Sequence, residues 1–96
     1  MKRLALVLVV VFFGLSCRRE RLTAQDCALI LDHVTELELA ERGFHDPALA
    51  ARRKAEMRSR LKGELDACIG RHVKSGAIAC ALTSPTTEDL SQRCFR

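Results

Sequence analysis

The chain has no tryptophan and no tyrosine, and of its four phenylalanines only Phe44 and Phe95 lie beyond the first 16 residues. Stacking platforms for nucleic-acid bases and aromatic anchors for an interface are therefore largely absent. No two cysteines stand as Cys-x-x-Cys, the spacing that commonly lowers a thiol pKa for redox work. No stretch alternates apolar and polar residues for long, so strand signals are missing. A spanning helix needs roughly 20 apolar residues; the run from Leu4 to Leu15 has 12. Charge of one sign is scarce as well. The formal net charge is +4, and without Lys2 and Arg3 it is +2. That weak balance is spread among acidic residues, and nucleic-acid binding is not indicated. There is no internal repeat and no low-complexity linker.

What is present begins with a leader. Lys2 and Arg3 form a positive n-region, Leu4 to Leu15 an uncharged h-region, and Gly14 and Ser16 place small residues before a cleavage point. Gly14-Leu15-Ser16-Cys17 resembles the lipobox of bacterial lipoproteins, although Gly14 stands where a larger aliphatic residue is usual. The resemblance implies that the Cys17 thiol is acylated with diacylglycerol and that the chain is cut just before it. Arg18, rather than aspartate, follows the cysteine, which by the same resemblance favours the outer membrane. Arg18-Arg19-Glu20-Arg21 would then lie near anionic headgroups, where each basic residue contributes about 1 kcal/mol. A plain signal peptide cut at the same bond is the simpler alternative, with Cys17 left as a free or intermolecular thiol.

Cysteine parity separates the two. The chain has five cysteines, and if Cys17 carries lipid, Cys27, Cys68, Cys80 and Cys94 remain as an even set. A mature chain from Cys17 has 80 residues, one domain at most. At that size a core alone rarely supplies more than about 3–5 kcal/mol, so covalent staples are expected.

The mature chain reads as all-α. Residues 1–16 are the lipoprotein signal peptide, 17–23 a lipidated tether, and 24–96 a cysteine-containing helical domain. Thr23 is a candidate N-cap with Asp26 in the capping-box position. Cys27, Ile30, Leu31, Val34 and Leu37 follow helical spacing, and Arg42-Gly43 closes that helix. Asp46 and Pro47 open a second helix, rich in good helix formers, that extends to Ile69 and ends at Gly70 or runs one more turn through Val73, which would put Cys68 and His72 on one face. Met57, Leu61, Leu65 and Cys68 share one of its faces. Gly63 either weakens it or permits close helix approach. Ala77 to Leu82 is a short apolar helix and the most buried piece expected. Thr86 with Asp89 caps a last helix ending near Cys94. The architecture is a long antiparallel helical hairpin plus two short C-terminal helices.

Four cysteines allow three connectivities. In a hairpin turning near Phe44-His45, Cys27 lies about level with Gly63, and Cys68 is roughly 7 Å further along the axis. Pairing Cys27 with Cys68 therefore needs an offset or a break at Gly70, while Cys80 with Cys94 would close the C-terminal helix pair; geometry leans to this set. Pairing Cys27 with Cys94, and Cys68 with Cys80, would lash the chain's end to its beginning.

Other chemistry is poorly supplied. His33, His45 and His72 with Cys68 could suggest zinc, since Cys68 and His72 are four apart, but a bridge would consume the thiolate. Glu36, Glu38 and Glu41 read as a solvated helix face. Ser59, Ser75, Ser84 and Ser91 lack a nucleophile context. Arg52-Arg53-Lys54, Arg58, Arg60 and Lys62 read as the wet side of a helix. Taken together, the lipobox-like segment and the four spaced cysteines resemble small four-cysteine bacterial lipoproteins. The likeness implies envelope location, a membrane partner reached through the lipid, and bridges. It implies no activity, cofactor or metal. The reading is a non-enzymatic, membrane-anchored envelope lipoprotein with a binding or structural role and a possible envelope protein partner. A soluble secreted inhibitor or toxin-like binder, and a thiol-redox or metal-binding protein, are the alternatives.

Under reducing conditions the mature domain is expected to lose most of its cooperative melting. Circular dichroism with and without reductant checks this, and an unchanged curve would contradict it.

Overall fold

The computed structural model describes residues 19–95; the leader, Cys17, Arg18 and the final residue lie outside the described residues. A capping box starts the first long helix. Thr23 Oγ1 accepts the Asp26 N–H at 3.1 Å, and the Asp26 carboxylate accepts the Thr23 N–H at 3.0 Å. The helix, α1, covers Ala24–Glu41. It stops where expected: Gly43 takes φ +86° and the Phe44 N–H reaches back to the Leu39 carbonyl at 2.9 Å. Asp46 then caps α2 (Pro47–Arg60) through the Ala48 N–H at 3.0 Å, with Pro47 in the first turn.

The second helix does not continue to Ile69. It breaks at Leu61 (φ −102°, ψ 27°), and a separate helix α3 covers Lys62–Cys68. Gly63 falls just beyond the bend, where its helix propensity, about 1 kcal/mol below alanine, weakens the continuous alternative. It does not serve close packing, because a Cβ added there would meet nothing within 4 Å. The bend comes before Cys68, so the segment that carries the cysteine is a helix of its own.

Gly70 makes the next change of direction. Ile69 (φ −61°, ψ 130°) and Gly70 (φ +84°) form the centre of a type II turn, closed by the Arg71 N–H on the Cys68 carbonyl at 3.2 Å. Such a turn requires positive φ at its third residue, which glycine adopts without a Cβ penalty. The chain leaves it as a short strand, β2 (His72–Val73), paired antiparallel with β1 (Glu20–Arg21). This ribbon corrects the expectation that strands are missing. Two residues per strand are too few to carry an alternating pattern. It also shortens the expected tether: Leu22 donates to the Arg71 carbonyl at 2.9 Å, accepts from Gly70 at 2.7 Å, and is buried.

The C-terminal part follows its local signals. Helix α4 covers Ala77–Thr83, with Ala77 and Ala81 buried. Thr86 caps α5 (Thr87–Asp89) through the Asp89 N–H at 3.0 Å, and the chain runs on as a π-turn, Leu90–Cys94. Ala81, Leu90 and Cys94 form the core cluster, and Ile30, Val34 and Leu37 of α1 pack against it with Cys80. That is the apolar face the periodicity placed on α1. A second working face packs on α2. There Arg58 forks onto the Asp32 carboxylate and Lys54 pairs with Glu36. Thr35 is buried, its hydroxyl bonded to the Leu31 carbonyl. No residue of α2 is buried. The fold is all-α apart from the ribbon, with α1 as the spine between an arm and a C-terminal cap.

Two glycine substitutions are expected to act with opposite sign. Gly70→Ala forces a side chain into left-handed backbone and should destabilise the oxidised domain by about 1–2 kcal/mol. Gly63→Ala lies in helix with open space and should stabilise it by about 0.5–1 kcal/mol. Denaturant unfolding of both variants, bridges intact, reads the two signs; the reverse order would contradict the turn and bend assigned here.

Candidate functional site

Both bridges lie between elements rather than within one. Cys27 of α1 is bonded to Cys68 at the end of α3, with Cα atoms 6.2 Å apart and a sequence separation of 41. Cys80 of α4 is bonded to Cys94 in the π-turn, with Cα atoms 5.5 Å apart and a separation of 14. This is the pairing that the hairpin geometry permits once an offset or a break is allowed; the chain departs from straight helix at Leu61, before Cys68, and turns at Gly70 just after it. Loop-closure entropy assigns about 4 kcal/mol to the longer bridge and about 3 kcal/mol to the shorter. Oxidation also removes the thiolates that a redox or zinc site would use. Cys68 and His72 share no helix face, since the helix ends at Cys68 and His72 lies on β2. Among the described residues, no group of three His, Cys, Asp or Glu side chains is placed to hold a metal ion.

His33 and several of the carboxylates have structural partners instead, while His45 is exposed. His33 sits part-buried on α1 and its Nε2–H donates to the Ser84 carbonyl at 2.8 Å, joining the spine to the end of α4. This contact is not a Ser–His dyad. The Ser84 hydroxyl points elsewhere, donating to the Cys80 carbonyl at 2.8 Å and lying 3.3 Å from Cys94 Sγ. Glu41 acts as a remote cap: its carboxylate accepts the Thr87 N–H at 2.9 Å and the Thr87 hydroxyl at 3.0 Å, at the start of α5. Glu36 pairs with Lys54, and Glu38 is exposed. The basic run divides in the same way. Lys54 and Arg58 bind α1, and Arg53 bonds Glu56 within its own helix. Arg60 is exposed and lies 3.8 Å from the same Glu56 carboxylate, and Arg52 and Lys62 are exposed. The Asp32 hydrogen bond, then its charge, raises the Arg58 pKa above its ordinary value. Arginine is charged at neutral pH in any case, so the shift changes nothing there.

One concavity adjoins the longer bridge. It is a groove of about 480 Å³ whose walls include Cys27 and Cys68. Leu22, Ile30, Ala67 and Val73 contribute apolar surface, and Phe95 closes one side with 42% of its area exposed. Glu64, Arg71 and His72 supply the polar groups. The groove exists because the N-terminal strand and the Gly70 turn are folded back beside the bridge. Sequence reasoning missed it. Leu22, the single apolar residue in the polar stretch from Arg18 to Thr23, was the one available signal. Chemically the groove suits an apolar or amphiphilic group, or a partner's side chain, held without covalent chemistry. No helix among the described residues is long and apolar enough to cross a membrane.

Comparison with protein-family models, with curated proteins and with solved structures finds no match to this chain.

Proposed function

We propose that this protein is a bacterial envelope lipoprotein, held to the membrane by acyl chains on Cys17, whose stapled helical domain binds or braces a partner and catalyses no reaction. One observation carries the reading. Cys27, Cys68, Cys80 and Cys94 are bonded to one another, and the chain has five cysteines. Cys17 therefore has no cysteine of its own chain to bridge. Acylation accounts for that odd sulfur, and it agrees with the positive n-region, the apolar run and the lipobox-like Gly14-Leu15-Ser16-Cys17. Two persistent bridges suit an oxidising compartment rather than the cytosol. A single acyl chain anchors only marginally, whereas two or three on one residue hold durably. Arg18 after the cysteine favours the outer membrane.

The non-enzymatic part rests on what the polar side chains do. Asp32, Glu36, Glu41 and His33 spend their hydrogen bonds on joining helices. The groove beside Cys27–Cys68 is mainly apolar and offers a place for an envelope protein partner. Nucleic acid is not among the partners proposed.

Metabolic labelling with an alkyne palmitate analogue tests the anchor. The wild-type protein should take up label and partition into detergent, and Cys17→Ser should do neither. Unlabelled protein recovered from culture supernatant, with Cys17 in an intermolecular bridge, would favour a soluble secreted binder and overturn the proposal.

A further inference from the structure

The strand ribbon has two chemically different faces. In the observed register Arg21 stands opposite His72 and Glu20 opposite Val73. Continuing that register one step beyond the paired residues sets Arg19 opposite Lys74. Directly paired residues share a face, and successive residues alternate. Arg19, Arg21, His72 and Lys74 therefore share one face, and all four are exposed. Arg21 donates to His72 Nε2 at 3.4 Å across the ribbon. Glu20 belongs to the opposite face, where its carboxylate accepts the Gly76 N–H at 3.2 Å. The ribbon face is thus basic without an acidic member. Beside it lies a shallow hollow formed in part by His72, Lys74 and the exposed ring of Phe95. The ion pairs of the described residues lie on α1 and α2, away from this end.

The position of this face relative to Cys17 gives it a meaning. From Cys17 to Glu20 is three residues, at most about 10 Å of extended chain. Beyond Glu20 the backbone is held by the ribbon and by the two Leu22 hydrogen bonds. An acyl group on Cys17 would therefore hold the basic face roughly within one Debye length of the headgroups, close enough for charge to act. We propose that the Arg19, Arg21, His72 and Lys74 face, with Phe95 at its edge, docks on an anionic bilayer and fixes the domain with its ribbon end toward the membrane. The orientation rests on the proposed anchor; the affinity of the face for anionic headgroups does not.

The test separates the two. The oxidised mature chain carrying Cys17→Ser, which has no lipid, is sedimented with vesicles of phosphatidylcholine alone or with about one-third phosphatidylglycerol. Binding to the anionic vesicles is expected, weakening as salt rises. Replacing Arg19, Arg21 and Lys74 with glutamine should reduce it on the order of 100-fold. Replacing Arg42, Arg52 and Arg60 instead changes the net charge equally and should leave binding near the starting level. Far-ultraviolet circular dichroism confirms that both variants are folded. Equal binding to both vesicle types, equal loss in both triple variants, or capture by polyglutamate as tight as by anionic vesicles would each overturn the docking face. None of these outcomes bears on whether Cys17 is acylated.

Discussion

A domain of this size has little to bury, and the Cys27–Cys68 bond makes up for it. The buried apolar side chains among the described residues are Leu22, Leu90, Ala77, Ala81 and two half-cystines, Cys27 and Cys94. A buried leucine contributes roughly 1.5–3 kcal/mol, and alanines much less. The longer bridge closes 41 residues of sequence and joins the first turn of the spine helix to the end of α3. The turn at Gly70 starts directly after the bonded Cys68. Leu22, the strand pair and the groove are then set beside that bond by backbone hydrogen bonds. Opening the bridge would free α3 from α1, and the N-terminal segment would lose the surface against which it folds.

The remaining interactions divide according to which face of α1 they use. On one face Ile30, Val34 and Leu37 meet the apolar cluster of α4 and the π-turn, while His33 and Glu41 add directional bonds to the same cap. On the other, Asp32 and Glu36 hold an arm that buries none of its own residues. Exposed ion pairs contribute little individually, typically under about 1 kcal/mol. The arm is thus the part most dependent on its neighbours, and its exposed Phe44 at the tip belongs to the end farthest in sequence from the bridges. The stapled end of the molecule also carries the groove and the basic ribbon, so rigidity and the proposed contacts coincide.

The caps were legible in the sequence because they are local: Thr23 with Asp26, Asp46 with Pro47, Gly43, and Thr86 with Asp89 each act within four residues. The apolar face of α1 was legible for the same reason, as was the burial of Ala77 and Ala81. The break at Leu61 was hidden because the segment around it favours helix almost uniformly. The ribbon was hidden by its brevity. Glu36 and Glu41 looked like solvated carboxylates, since nothing local distinguishes a partner on another helix from water. The groove depends on Leu22, Val73 and Phe95 meeting from three separate segments, which no spacing rule connects. The sulfur pairing was half legible: parity gave the number of bridges, and geometry only favoured their order.

Mass spectrometry of the native protein, intact and after proteolysis without reduction, tests the central claim most directly. The account predicts a chain beginning at Cys17 with diacylglycerol on that sulfur, and two linked peptide pairs, Cys27 with Cys68 and Cys80 with Cys94. A chain that retains its first 16 residues with all thiols reduced, or a Cys17 bonded to one of the other four cysteines, would contradict it.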